Sequence, residues 1–291
     1  MTHAFPRLEP PHRRRSRLTR RARFILLALA LLTAAAAVAV PLLLLRPDEK
    51  PPVAEKKRTL LIPEGWRATQ VYAAVDRALK LPGGATRRAA TAAAPALPAA
   101  ARGNPEGYLF PATYPIERTT TAEGLLRYMV RTAGERFGAD RITAGAQRQG
   151  LSLHQTVIVA SIVQAEADSV EDMAKVARVV HNRLAQGMAL QMDSTLNYAL
   201  NRSTVDTTYE DTRIDSPYNT YERPGLPPTP IANPGEQAMA AAIDPAPGDW
   251  LYFVTVKPGD TRFTADYAEQ QRNVAEFNEE RRSATVAATA G

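Results

Sequence analysis

The amino-acid sequence predicts an α+β protein with a single N-terminal transmembrane helix, a small α/β subdomain and a larger mixed α+β domain. Three observations predict this architecture. Residues 24–45 form an uncharged apolar segment, later segments repeat apolar residues with the period of a helix, and residues 59–63 and 251–256 have the composition of short strands.

The transmembrane helix is predicted over residues 24–45, where Thr33 and Pro41 are the only interruptions of the apolar run. At about 1.5 Å per residue, such a helix can cross a hydrocarbon core of about 30 Å. Eight arginines precede it and only Arg46 follows closely, so residues 1–23 are expected in the cytoplasm and the rest outside it. A cleaved signal peptide is the less favoured alternative, because its apolar region would be about 7–15 residues long. The predicted location is the cytoplasmic (inner) membrane, as a single-pass protein.

The charge distribution argues against a nucleic-acid partner. The formal net charge is +6, but residues 1–23 alone carry +7 and the remaining chain carries −1. We therefore expect the basic tail to contact membrane lipid rather than a polyanion. The chain has no cysteine, which excludes disulfides and thiol chemistry. Only His154 and His181 follow the apolar segment, so no metal site and no cofactor are predicted.

The small subdomain is predicted over residues 58–101. It follows a linker at 46–57 that is rich in proline and charge, and it begins with the strand candidate at 59–63. A helical pattern starts at Thr69. The stretch 81–101 is rich in Ala, Pro and Gly, which is typical of a degraded helix or a hinge.

The larger domain is predicted over residues 102–283, with a disordered tail at 284–291. Helices are expected to begin at Thr121, Ser152, Ser169, Gln237 and Tyr267, and Ser152 with Gln155 matches a capping box. The strand at 251–256 is expected to pair with 262–264.

One carboxylate stands out for its chemistry. Glu166 ends an otherwise apolar helical segment, and burial there would raise its pKa. A glutamic acid that stays protonated near neutral pH can act as a general acid. Alternatively, Glu166 has a structural role: it caps the neighbouring helix or forms an ion pair with it, for example with Lys175 or Arg178. The helical pattern considered alone favours this structural role.

Many short segments in order resemble the endolytic murein transglycosylase (MltG/YceG-like) family, over roughly residues 58–280. The segments are 106–111, 160–166, 175–177, 182–184, 187–195, 216–221, 225–228, 230–231, 233–235, 251–254 and 263–264. The resemblance implies a LysM-like subdomain at 58–101 and a catalytic domain at 102–283. It implies cleavage of the MurNAc-GlcNAc β-1,4 bond of nascent glycan strands with formation of 1,6-anhydro-MurNAc, which limits strand length.

The resemblance also implies roles for individual residues and partners. Glu166 is implied to be the single catalytic residue, which acts first as the acid and then as the base. The expected partners are peptidoglycan glycan strands and the membrane-bound peptidoglycan synthases (penicillin-binding proteins). The residues expected to bind substrate are Gln164, Gln191, Asp193, Ser194, Tyr218, Asn219, Thr220 and Tyr221.

Several of these residues keep a structural alternative. Asp193 binds substrate or orients Glu166, or else it is a turn or N-cap residue before a helix. The tyrosines stack on sugar rings or cover the core. Arg183 holds a substrate carboxylate, or, as we slightly favour, pairs with Asp193 or Glu166.

Two positions depart from the family pattern. Gln164 stands where family members commonly have Glu, and a Gln cannot transfer a proton. Gln270 stands where the final helix of the family often carries His. The first departure leaves a second function open, that of a non-catalytic cell-wall-binding scaffold associated with peptidoglycan synthases.

Overall fold

The computed structural model describes residues 19–44, 58–93, 97–202 and 207–289. The chain forms two compact units, residues 1–56 and 57–291. The first contains helix α1 (Arg20–Leu44), whose described apolar side chains, such as Phe24 and Leu31, are exposed. Within the described ranges, no helix combines the length and hydropathy needed to cross a membrane. The transmembrane helix at 24–45 is therefore not confirmed. The predicted linker at 46–57 lies outside the described residues, and so do residues 1–18 of the basic tail.

The second unit is a mixed α+β structure with two small antiparallel sheets, β1–β2 and β3–β4. In chain order its elements are β1 (Arg58–Leu61), α2 (Ala68–Leu79), α3 (Ala85–Ala93), β2 (Thr113–Ile116), α4 (Ala122–Phe137), α5 (Asp140–Arg148), α6 (Leu153–Glu166), α7 (Val170–Ala185), α8 (Asp193–Ala199), α9 (Glu236–Ile243), β3 (Tyr252–Lys257), β4 (Asp260–Thr264) and α10 (Tyr267–Thr289).

The first hydrophobic core joins sequence from both sides of the boundary predicted near residue 101. Strands β1 and β2 pair with Arg58 opposite Ile116, and the apolar faces of α2 and α4 pack in the same cluster through Val71 and Met129. The LysM-like division at residue 101 stays a prediction, and the contacts described here run across it.

The second core surrounds α6. Every residue from Thr156 to Val163 is buried, so this helix is apolar all round, as expected of a helix enclosed by others. Helices α5, α7 and α9 cover it. Gly145 of α5 lets α9 approach closely, because a Cβ there would lie 2.6 Å from the Cβ of Ile243. This packing fixes the end of α6, where Glu166 lies.

The local signals for α6 and α7 are confirmed. The Ser152 hydroxyl accepts from the Gln155 amide at 3.2 Å, and the Ser169 hydroxyl accepts from the Asp172 amide at 3.0 Å. The β3–β4 pairing is also as predicted, with Phe253 opposite Phe263.

Residues 85–93 of the stretch expected to be a degraded helix or a hinge form the helix α3. Two other helical segments differ from the predictions, and the first of them, α5, was not predicted. Helix α10 continues to Thr289, through most of the segment predicted to be a disordered tail. The alanines after Ser283 favour that continuation, because Ala has the highest intrinsic helix propensity.

Candidate active site

A cleft of about 610 Å³ lies where the end of α6, the start of α8, strand β3 and helix α10 meet. Four of the predicted site residues line it together: Glu166, Gln191, Asp193 and Tyr221. The other lining residues are Arg183, Thr207, Tyr252, Phe253, Val254, Thr255, Tyr267, Gln270, Val274, Phe277, Asn278 and Arg281. The cleft therefore combines carboxyl groups with aromatic rings.

Glu166 is the last residue of α6, and its carboxylate reaches the cleft. The Oε1 atom accepts a hydrogen bond from the Ser194 amide at 3.2 Å. Burial raises the pKa of Glu166, and the neighbouring charge of Asp193 raises it further. Hydrogen bonding from Ser194 acts in the opposite direction and lowers it. The carboxyl group is thus biased towards the protonated form that a general acid requires.

The alternative role of Glu166 is confirmed in one half and wrong in the other: its Oε1 accepts from the Ser194 backbone amide in the first turn of α8, as a cap would, but it forms no ion pair with Lys175 or Arg178. Lys175 instead pairs with Glu171 at 2.7 Å, one helical turn earlier on α7. The Nε of Arg178 donates to the carbonyl of Ala246 at 2.6 Å. Both cations are thus engaged elsewhere, and the Glu166 carboxyl keeps its access to the cleft.

Asp193 lies one position after Met192, the N-cap residue of α8, so the predicted N-cap role is wrong, whereas its place beside Glu166 is compatible with the predicted orienting role. It is the first residue of α8, and its charge lies close enough to Glu166 to affect the pKa of that group. Its Oδ1 accepts a hydrogen bond from the Tyr221 hydroxyl. Burial raises the pKa of Tyr221, and the Asp193 charge adds to that rise, so the phenol remains a donor. Tyr221 thus holds Asp193 beside Glu166.

Asn219 and Thr220 lie behind the cleft, with exposed fractions of 1% and 2%. The Asn219 amide donates to the carbonyls of Thr212 and Ile214. The Thr220 hydroxyl accepts from the Met192 amide at 3.0 Å. Their polar groups are used inside the protein, so their placement does not support the prediction that they contact substrate. They hold the chain segments that carry Asp193 and Tyr221.

Tyr218 and Gln164 do not line the cleft either. The Tyr218 hydroxyl lies 2.8 Å from the Thr229 hydroxyl, and its ring packs against Tyr198. The Gln164 Oε1 accepts from the Gly235 amide at 3.0 Å, immediately before α9. Gln164 therefore makes the hydrogen bond that was predicted for it, but to the protein. Residues two apart on a helix point about 200° apart, which separates Gln164 from Glu166.

Arg183 does not pair with Asp193 or Glu166, the contact that the sequence slightly favoured. Its guanidinium donates to the carbonyls of Leu251 and Leu190, both at 2.6 Å, and to Gln191 Oε1 at 3.3 Å. It also lies 5.3 Å from the centroid of the Tyr252 ring. Arg183 therefore ties β3 to the loop before α8, because backbone carbonyls at both places accept hydrogen bonds from its guanidinium.

The sequence predictions missed the side of the cleft formed by β3 and α10. Tyr267, Gln270, Val274, Phe277 and Arg281 follow the spacing of one helix face, and all five line the cleft. That periodicity was visible in the sequence. What it could not indicate is which part of the molecule the face meets.

A second buried carboxyl group was also missed. Glu106 is 3% exposed and accepts hydrogen bonds from the Ala68 amide at 2.9 Å and the Tyr198 hydroxyl at 3.3 Å. Burial raises the pKa of Glu106 to about 7, although these donors and Arg67 act against the rise. It does not line the cleft.

The described residues also bear on metal binding. No group of three or more His, Asp or Glu side chains there is placed to hold a metal ion. His154 accepts or donates a hydrogen bond with Tyr108, and His181 does so with the Ala242 carbonyl. Both histidines therefore have structural contacts within the protein.

Comparison with known proteins identifies the family. A family model described as YceG-like matches residues 37–276. A relative from Bacillus subtilis named endolytic murein transglycosylase is 37% identical over 168 residues, which cover 57% of this chain and 46% of the relative. A relative of the same name from Streptococcus pneumoniae is 36% identical over 177 residues, which cover 59% of this chain and 32% of the relative. The chain thus matches less than half the length of these curated relatives.

A solved structure agrees with this assignment. The crystal structure of a YceG-like protein from Listeria monocytogenes has a TM-score of 0.67 and 33% sequence identity to this chain. The match covers 74% of this chain and 75% of that one. Together with the family match, which extends over most of the sequence, it shows that the chain belongs to the YceG-like family.

Proposed function

We propose that this protein is an endolytic peptidoglycan lytic transglycosylase that cleaves the MurNAc-GlcNAc β-1,4 bond of nascent glycan strands. The observation that carries the proposal is Glu166, a carboxyl group with a raised pKa that opens onto the cleft. The relatives named endolytic murein transglycosylase support the same reaction.

The reaction needs only one group that both gives and takes a proton. Protonated Glu166 donates its proton to the glycosidic oxygen as the bond from C1 of MurNAc to that oxygen breaks. The resulting carboxylate then accepts the proton of the 6-hydroxyl of the same sugar while that oxygen bonds to C1. The product is a 1,6-anhydro end, and water is not consumed. Because the nucleophile is intramolecular, its effective concentration is high.

Asp193 supports this cycle without transferring the proton. Ordinary glycosidases use two carboxyl groups, and Asp193 is the second one that lines this cleft. The Tyr221 hydroxyl donates to Asp193 and holds it near Glu166, where the Asp193 charge raises the pKa of Glu166. Its role is therefore to position and bias the acid.

The alternative of a non-catalytic scaffold loses its main argument. It depended on Gln164 replacing an acid of the family pattern. The Gln164 side chain hydrogen-bonds to Gly235 and does not line the cleft, whereas Glu166 is present and lines it.

The test is product analysis. The full chain in detergent is mixed with uncrosslinked glycan strands, and the products are analysed by mass spectrometry. We expect internal cleavage with 1,6-anhydro ends. Reducing ends without the anhydro ring would indicate a hydrolase, and bound but intact strands would indicate a scaffold.

We also propose that residues 24–45 anchor the protein in the cytoplasmic membrane, with the C-terminal unit outside the cytoplasm. The apolar run and the preceding arginines support this. A linker over 46–57 reaches about 40 Å at most, which would hold the cleft near newly made strands and the penicillin-binding proteins that extend them. Protease added to spheroplasts should digest the C-terminal unit; protection of that unit in spheroplasts, with digestion after lysis, would contradict the topology.

A further inference from the structure

The cleft has an aromatic wall, which we define as Tyr252 of β3 together with Tyr267, Gln270, Phe277 and Arg281 of α10. The four α10 residues lie on one face of the helix and line the same cleft as Glu166. From Tyr267 to Phe277 the helix rises about 15 Å. The wall is therefore long compared with a single sugar ring.

The aromatic wall is accessible. Tyr267 is 60% exposed at the start of α10, a helix that contacts β3. Its ring lies 5.6 Å from the ring of Tyr252 at an angle of 52°. Large exposed apolar surface in a cleft is typical of a binding site.

Tyr252 is held in place by a neighbouring cation that also lines the cleft. The Arg183 guanidinium lies 5.3 Å from its ring centroid, and the backbone carbonyls of Leu251 and Leu190 hold that guanidinium. A ring fixed in this way loses little conformational entropy when a ligand packs on it. Tyr252 and Tyr267 thus form a partly ordered platform before any ligand binds.

We propose that the aromatic wall is a saccharide subsite that holds several consecutive pyranose rings of the glycan beside the bond to be cleaved. The C–H groups of a pyranose face carry partial positive charge and pack on the negative face of an aromatic ring. This inference rests on the proposed function, and it adds a reason for internal cleavage. A wall of this length binds the middle of a strand as readily as its end.

Arg281 supplies the polar end of the wall. It lies four residues beyond Phe277, with its guanidinium 5.5 Å from the centroid of that ring. A guanidinium recognises carboxylates, which peptidoglycan provides in its peptides, or in its lactyl groups where no peptide is attached, and which plain N-acetylglucosamine oligomers lack. Arg281 therefore distinguishes peptidoglycan strands from neutral amino-sugar polymers.

Binding is tested in the full chain carrying Glu166→Gln, so that strands bind without being cut. Adding Tyr267→Ala should weaken the affinity for uncrosslinked glycan about threefold to tenfold, whereas Tyr267→Phe should keep it. The matched control is Tyr209→Ala, because Tyr209 is 75% exposed and does not line the cleft. Thermal unfolding of all variants checks that folding is unchanged.

The outcomes separate this proposal from the proposed function. Unchanged affinity in Tyr267→Ala would overturn the subsite even if the wild-type chain forms anhydro ends. Weakened affinity would support the subsite even if the wild-type chain forms none. Arg281→Gln should weaken binding of peptidoglycan strands and leave binding of N-acetylglucosamine oligomers unchanged; equal effects on both would overturn the role given to Arg281.

Discussion

Glu166 and Glu106 are two carboxyl groups whose pKa is raised by burial, and they lie in regions of opposite character. Glu166 opens onto the cleft and accepts one backbone hydrogen bond, from Ser194. Glu106 is enclosed, and it accepts from the Ala68 amide at the start of α2 and from Tyr198. In one region the carboxyl group lines a cleft, whereas in the other it joins chain segments through hydrogen bonds.

The comparison shows that a raised pKa records burial and does not by itself identify a catalytic acid. The Asn233 amide lies 3.5 Å from Glu106 Oε1 and also donates to the Trp66 carbonyl at 2.7 Å. Glu106 therefore belongs to a network that connects the loop before α2 with the segment before α9. Access to the cleft separates the two glutamates.

The largest expected effect distinguishes the two glutamates directly. Glu166→Gln should lower the cleavage rate about 10²- to 10⁴-fold, because it removes the proton that is transferred. Glu106→Gln keeps a similar shape and hydrogen bonds and should change the rate only a few-fold. Both rates are measured from the release of anhydro-ended products. Comparable losses in the two variants would break the distinction.

The next effect is on stability. The pKa of Glu106 is about 7 in the folded protein, against an ordinary value of 4.5. The folded state therefore favours the protonated form, and this contribution is complete below about pH 4.5 and is lost as the pH rises through about 7. The difference corresponds to about 3 kcal/mol.

Glu106→Gln should remove this pH dependence. Denaturant unfolding of both proteins at pH values from 5 to 8 measures it, with the difference between the two curves reporting Glu106 alone. A difference that stays constant over this range would show that Glu106 does not titrate as the burial indicates.

A smaller effect is expected at Asp193. Its charge raises the pKa of Glu166, so Asp193→Asn should lower that pKa. Activity that needs protonated Glu166 is lost as the pH rises through its pKa, so this loss should begin at a lower pH in the variant. At neutral pH the rate should fall by about tenfold at most. The measurement is the pH profile of cleavage; a profile that keeps its position while the rate falls would assign Asp193 to substrate binding.

Local sequence signals predicted the helices around Glu166 well, because capping and apolar periodicity act within a few residues. The Ser152 capping box appears as expected, but α6 is buried all round from Thr156 to Val163 and not along one face. The cleft depends on contacts between distant segments, and these were harder to predict. Thr220 lies in a polar loop that suits sugar binding, yet its hydroxyl holds the Met192 amide. Glu106 was missed because nothing near it in the sequence indicates that Ala68 and Tyr198 surround it.

The smallest expected effect concerns Gln164, the departure from the family pattern. Gln164→Ala leaves the buried Gly235 amide without its acceptor, which should cost about 1–3 kcal/mol of unfolding free energy. Gln164→Glu keeps an acceptor at that place and should cost less. Because Gln164 points away from the cleft, both variants should cleave glycan within a few-fold of the parent rate when assayed well below their unfolding temperatures. A large gain of activity in Gln164→Glu would instead show that an acid at this position takes part in the reaction, and that Glu166 does not act alone.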